Sequence, residues 1–391
     1  MAWRSALLMA GFVLAALNLR PAIAGLSPLL DEIMRDVGLT PGAGGAITTV
    51  MIVCLGVFGP LAPLLARRIG LDRTLLLGLL VLAAGIALRS LDGPLMLYAG
   101  AAVAATAIAV MNVIMPGVVK QHFPARVNLM TGVYVSAIVG GAAIASGALI
   151  PMERLTGLDW RGVSALLAVP ALAAALLWLP QAFRRHTSPP RDGPSAFGLL
   201  LRSRVTWYVT AFMGLQSFTF YVMLAWLPTI FLEAGIPAEQ AGYLLSVTTV
   251  VQVGATLVVP ILAGRRRSQV SYVYLSSVLT AAGYLGVLLA PATLPWLWMI
   301  VLGIGQGASF ALALLIIALR PANPGLVTAL SAMAQSVGYL LAALGPVLFG
   351  LLREVSGGWW APLAFGVVVV GVQTVAGWFA GRPATLGKPY L

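Results

Sequence analysis

Residues 6–30 read ALLMAGFVLAALNLRPAIAGLSPLL, an apolar run whose only charge is Arg20. At the rise of a helix, Arg20 lies about 21 Å from the start of the run. That is near the middle of a bilayer hydrocarbon core about 30 Å thick. A charge there costs at least ~2.5–3.5 kcal/mol by insertion scales, so it faces a wet cavity or a partner. No other Lys, Arg, Asp, Glu or His falls deep inside an apolar run of this chain. A lone intramembrane cation without a matching acid points to a partner that arrives from solution, anionic or strongly polar. Pro21 removes a backbone donor and clashes one turn back, which predicts a kink that aims Arg20 at a cavity. The guanidinium fork suits carboxylate-like or linear anions. The competing reading makes Arg20 a structural cation tied to carbonyls or to an Asn on another helix.

The rest of the chain has the same character. Of 391 residues, 60% are hydrophobic and 9% charged, with a mean hydropathy of +0.98. A soluble domain carries about 25% charged residues, so this is an all-α, multi-pass membrane protein. Apolar runs bounded by charges, Gly or Pro mark twelve spans: 6–34, 43–66, 74–91, 95–119, 127–150, 162–180, 205–232, 238–263, 270–290, 294–319, 324–352 and 359–380. The first has no small-residue cleavage site and reads as a retained helix. A Pro/Arg/Ser-rich linker, 181–204, separates a six-helix bundle over 1–180 from a second over 205–391. Cys54 is the single cysteine, so no intramolecular disulfide forms.

Charge tests this topology. Seventeen of the 23 basic residues fall on one side, including Arg67, Arg68, Arg73, Lys120, Arg184, Arg185, Arg265, Arg266 and Arg267. Only Asp72 and Asp192 accompany them; the other nine acids lie opposite, beside Arg35, Arg89, Arg154, Arg161 and Arg353. The positive-inside rule then places both termini and the linker in the cytoplasm of a bacterial-type cell, the chain spanning the inner membrane. The net charge of +12 is therefore a topology signal facing anionic lipid, and nucleic acid is not an expected partner.

An internal repeat supports the halves. Pro63-Leu64-Leu65-Ala66-Arg67-Arg68 recurs as Pro260-Ile261-Leu262-Ala263-Gly264-Arg265, 197 residues on. Gly38 matches Gly235 and Gly45 matches Gly242 at the same shift, and Leu26-Ser27-Pro28 echoes Trp226-Leu227-Pro228 nearby. Two parallel six-helix halves around a midplane site resemble the major facilitator architecture.

Polar side chains within spans are the candidate solute contacts: Arg20 first, with Asn18 beside it, then Asn112, Tyr221, Gln306, Tyr134, Gln335, Tyr339 and Gln252. Each has a bland alternative, since an intramembrane amide also joins helices at ~0.6 kcal/mol. Gly140-Gly141 and the 338–350 segment read as close-packing elements, with Gly345-Pro346 weakening its helix. Proton coupling needs a titratable group in the pathway. Asp31 and Glu32 are the candidates for it, against the reading that they are solvated loop charges. Facilitated diffusion, or symport in which the solute carries the proton, stays open. His122 and His186 lie in loops, and no buried carboxylate pair, metal-ligand cluster or phosphate-cradling G-x-x-x-x-G-K-[ST] motif occurs, so neither an enzyme nor a cofactor is expected.

Leu17-Asn18-Leu19-Arg20-Pro21, Met115-Pro116-Gly117-Val118-Val119-Lys120, Ala225-Trp226-Leu227-Pro228, Leu244-Leu245-Ser246 and Gln252-Val253-Gly254-Ala255 together resemble the cyanate porter and 2-nitroimidazole transporter family of the major facilitator superfamily. The resemblance implies a monomeric secondary transporter for a small anion or small polar solute. It further implies alternating access and a central cavity lined by helices 1, 4, 7 and 10. The superfamily's loop signature after the second helix is altered, with Pro63 at its Gly and Arg67 at its acid. A drug efflux pump independent of Arg20, and a membrane sensor without transport, are the other readings.

Overall fold

The computed structural model describes residues 2–39, 41–183 and 196–386, and within these a few side chains, among them that of Asp31, lie outside the description. Half of the expected linker, 184–195, is outside it as well. The chain forms two compact units, Met1–Val118 with Ala137–Gly193, and Val119–Ser136 with Pro194–Leu391.

The first unit is built from α1 (Ala2–Leu17), α2 (Pro21–Ala24), α3 (Leu26–Val37), α4 (Pro41–Phe58), α5 (Leu61–Ile69), α6 (Leu71–Arg89), most of α7 (Pro94–His122), the later part of α8 (Val127–Thr156), α9 (Trp160–Leu166) and α10 (Ala168–Ala182). The second takes the start of α8 and α11 (Ala196–Leu201), α12 (Arg204–Glu233), α13 (Ala238–Ala263), α14 (Val270–Leu289), α15 (Pro295–Leu319), α16 (Pro324–Ser356) and α17 (Trp360–Gly381). Among the described residues there is no strand, only an isolated bridge between Pro321 and Leu386. Helices satisfy every internal backbone group without water, which is what a bilayer demands.

Among the described residues eleven helices are long and apolar enough to cross a membrane, and twelve when a bent pair counts as one span. That pair is the expected second span, which turns by 53° between Phe58 and Leu61. Gly59-Pro60 sits at the bend, and proline cannot continue the hydrogen-bond ladder there. The first span also differs from the single kinked helix expected, because it breaks at 18–20 and again at Gly25. The eleventh keeps its helix through Gly345-Pro346, so the expected weakening is not a break.

Packing follows the logic of lipid, where apolar faces gain nothing by meeting each other and close approach of small residues takes over. Large side chains such as Leu176, Val250 and Val368 face outward. In the first unit α10 packs on α6 and α1; in the second, α12 packs on α16 and α17, and α15 on α13 and α14. Gly38 and Gly235, matched by the repeat, both take positive φ (69° and 83°) at helix ends, which explains the shared residue type.

The repeat extends further than the matched motifs. Asp36 ends α3, accepts the Trp160 indole N–H at 3.1 Å and pairs with Arg161, whose guanidinium lies 4.5 Å from the Trp160 ring centre. Arg161 also pairs with Asp92 at 2.8 Å. In the second unit Glu233 ends α12, accepts the Trp359 indole N–H at 2.8 Å and pairs with Arg353, which lies 4.7 Å from the Trp359 ring. Asp36 and Glu233 are 197 residues apart, the shift of the repeat.

Candidate functional site

In the first unit the site is organised by the break in the first span. Pro21 has no N–H for the carbonyl of Leu17, and that oxygen instead abuts Gly141 of α8, where a Cβ would overlap it. The chain turns through Asn18-Leu19-Arg20 and restarts as α2. Arg20 caps this restart with φ −122° and ψ −29°, and its carbonyl accepts from Ile23 and Ala24 at 3.0 and 2.9 Å. Its side chain is half-buried. Asn18 is buried, and its amide donates to Leu14 O at 2.7 Å and to Pro170 O at 3.1 Å. It therefore ties the break to α10. Asn112 is buried in α7.

The Glu32 carboxyl meets the Glu153 carboxyl and the Trp160 backbone N–H in hydrogen bonds. The Trp160 indole and Arg161 hold the Asp36 carboxyl below its ordinary value.

In the second unit the candidates fall into separate groups. Gln252 donates to Gln306 Oε1 at 3.5 Å, and Gln306 donates to Thr219 O at 3.3 Å. Tyr284 donates to the same carbonyl at 2.8 Å. Thr219 Oγ1 continues to Gln373 Oε1 at 3.4 Å, Gln373 to Ser309 Oγ at 3.3 Å, and Ser309 to Ser276 Oγ at 3.1 Å. The result is a buried, uncharged chain linking α12, α13, α14, α15 and α17. Tyr134 and Tyr339 are both buried and near enough to interact electrostatically. Gln335 donates to Ser331 one turn away at 2.7 Å, and Tyr221 lies edge-on to Phe220 at 5.4 Å.

The sequence reading passed over several of these groups. Gln373 was visible as the one amide of the twelfth span. Two buried cations were not visible as such. Arg89, placed among loop charges, is fully enclosed at the end of α6 and bonds Ser164 Oγ at 3.2 Å and the Ala22 carbonyl. Arg320, the residue that follows the tenth expected span, is 4% exposed and donates to Ala380 O at 3.0 Å and Gln269 Oε1 at 2.6 Å. Both lie at or just beyond a helix end and are more deeply buried than Arg20, which is half-buried. Burial holds Arg320, which lies beyond the end of α15, at about 10. Lys120, from the Met115–Lys120 motif, reaches the carbonyls of Ala318, at 3.3 Å, and Pro321.

Eleven or twelve helices among the described residues, long and apolar enough to span a bilayer, in an all-helical fold, define a polytopic membrane protein. Residues 6–343 match the Major Facilitator Superfamily, and the chain belongs to it. An uncharacterized transporter of Bacillus subtilis (strain 168), YycB, is 36% identical over 96% of this chain and 93% of its own length. The 2-nitroimidazole transporter of Escherichia coli (strain K12) is 35% identical, covering 96% and 95%. The cyanate transport protein CynX of the same organism is 28% identical, covering 94% and 96%. Among solved structures, the major facilitator transporter FucP in the outward conformation superposes with a TM-score of 0.76 at 14% identity, over 95% of this chain and 99% of that one. These relatives are transporters and not enzymes, and the chain is a transporter with a small-molecule solute and the bilayer as its partners.

Proposed function

We propose that this transporter moves a small anion or small polar organic solute, cyanate-like or nitroimidazole-like, across a bacterial inner membrane by alternating access. Arg20 is its recognition group, and both termini face the cytoplasm. The observation that carries this reading is a half-buried cation standing where the first span gives up its helix. An ionisable group inside the spans is by default a functional-site group. The relatives named for 2-nitroimidazole and cyanate support the solute class. Asn112, Tyr221 and Gln306 supply further hydrogen bonds in this reading, with Tyr134, Gln252, Gln335 and Tyr339 as secondary contacts. Asn18 shapes the break, since its amide hydrogens are engaged by carbonyls. Glu32, sharing a hydrogen bond with Glu153, is the group proposed to exchange protons. The division into halves over 1–180 and 205–391 belongs to the same proposal.

The test is ligand-dependent thermal stabilisation of purified wild type and Arg20→Ala across small anions and nitroimidazoles. A ligand at 100 times its Kd stabilises by about 2.7 kcal/mol. Stabilisation of wild type with a blind mutant is the expected result. Neutral amphipaths stabilising both proteins equally would overturn it in favour of drug efflux.

A further inference from the structure

Arg89 holds the first span from behind. Its side chain is 1% exposed, and no carboxylate pairs with it among the described residues. Nε donates to Ser164 Oγ of α9, Nη1 donates to the Ala22 carbonyl, and Nη2 is enclosed with no hydrogen-bond partner. The backbone of α7 presses on it at Gly100, where a Cβ would overlap the main chain of Arg89.

Ala22 lies two residues beyond Arg20, inside α2. This four-residue helix is bounded by the break at 18–20 and by Gly25. No continuous helix fixes its direction, so groups outside it must do so. One is Asn18, which reaches Pro170 of α10. The other is Arg89, whose planar fork joins α2 to α6 and α9 at once, a geometry that a lysine ammonium does not reproduce.

The second unit provides a comparison. Ala22 moved by the repeat shift of 197 is Thr219, and the Thr219 carbonyl is likewise held by a side chain from the third long helix of its half, Tyr284 of α14. A neutral phenol does there what a cation does in the first unit. Enclosing a cation in a membrane protein is far more costly than enclosing a hydroxyl. The charged version stands in the unit that carries Arg20.

We propose that Arg89 is a positioning residue for solute recognition: by gripping the Ala22 carbonyl it fixes the short helix from which Arg20 is presented. This rests on the proposed role of Arg20. The experiment compares wild type, Arg20→Lys, Arg89→Lys, Ser164→Ala and the Arg20→Lys/Arg89→Lys double variant in proteoliposomes. Uptake of labelled 2-nitroimidazole and of labelled cyanate is measured, with rates normalised to folded carrier. Arg89→Lys keeps the charge but not the two-pronged grip, and Ser164→Ala removes only the anchor at Nε.

The expected result is a KM raised about 10-fold by Arg89→Lys and about 3-fold by Ser164→Ala, with Vmax per folded carrier within about 2-fold of wild type. The double variant has the KM of Arg20→Lys alone, because Arg89 acts through Arg20. Lower Vmax or yield at unchanged KM in both Arg89→Lys and Ser164→Ala, beside a raised KM in Arg20→Lys, would overturn the inference and leave the Arg20 reading intact. Multiplicative effects in the double variant would overturn it as well. Wild-type KM in Arg20→Lys would instead remove the Arg20 reading itself, and this inference with it.

Discussion

Exchange of Gly141 for alanine is the sharpest test of how the first span is held. The Leu17 oxygen, deprived of its usual donor by Pro21, lies against the Cα of Gly141, and an added methyl would overlap it. That oxygen belongs to a backbone, so it has no rotamer to escape into, and α1 and α8 must part. Inserting a methyl into a packed contact costs about 1–3 kcal/mol. Replacing a helical glycine by alanine also gives back about 0.8–1.0 kcal/mol of propensity. The neighbouring Gly140 separates the two effects, since a Cβ there meets nothing within 4 Å. Gly140→Ala gains the propensity alone, so the difference between the two variants isolates the overlap, about 1–3 kcal/mol. Thermal melts of both purified proteins in the same detergent measure it, with Gly140→Ala at or above wild type and Gly141→Ala below it. Equal melting temperatures for the pair would refute the reasoning, because the sequence change and helix are common to both.

Three further outcomes are expected. Pro21→Ala restores a donor to the Leu17 carbonyl and straightens the first span; proteoliposome uptake should fall while the melting temperature holds or rises. The Trp160 indole and Arg161 hold the Asp36 carboxyl below its ordinary value, so its contribution to stability is present above the unfolded value and lost as pH falls through the folded one; Arg161→Ala should flatten that loss in melts run at falling pH. Arg320→Ala leaves Ala380 O and Gln269 Oε1 without their charged donor and should cost about 2–3 kcal/mol, read from detergent melts.

The spans were legible because a bilayer leaves a chain few choices: an uninterrupted apolar run of this length must form a helix. The break near Arg20 was legible in kind, through Pro21, but not in form, because the second break at Gly25 depends on Leu149 and Leu167 packed about it. Arg89 was misread for a physical reason. It is followed by Ser90 and Asp92, which locally signal a loop, while the neighbours that hold it, Ser164 and Ala22, are distant in sequence. Arg320 is hidden in the same way by Gln269 and Ala380. The acids Asp36 and Glu233 were within reach, since the repeat shift that matched Gly38 with Gly235 also matches them. What no shift reveals is that a tryptophan and an arginine complete each of those corners.

The Asn18–Pro170 hydrogen bond carries a consequence for biogenesis. Its partners are 152 residues apart in the chain, and at about 5–20 residues per second the ribosome needs about 8–30 s to produce the second after the first. Through that interval the first span has reached the translocon with a central arginine and an open break, before α10 exists to receive Asn18. The span that carries Arg20 is thus made before the helix that receives Asn18. Its secure residence in the bilayer is expected to await the arrival of α10 rather than follow from its own hydropathy.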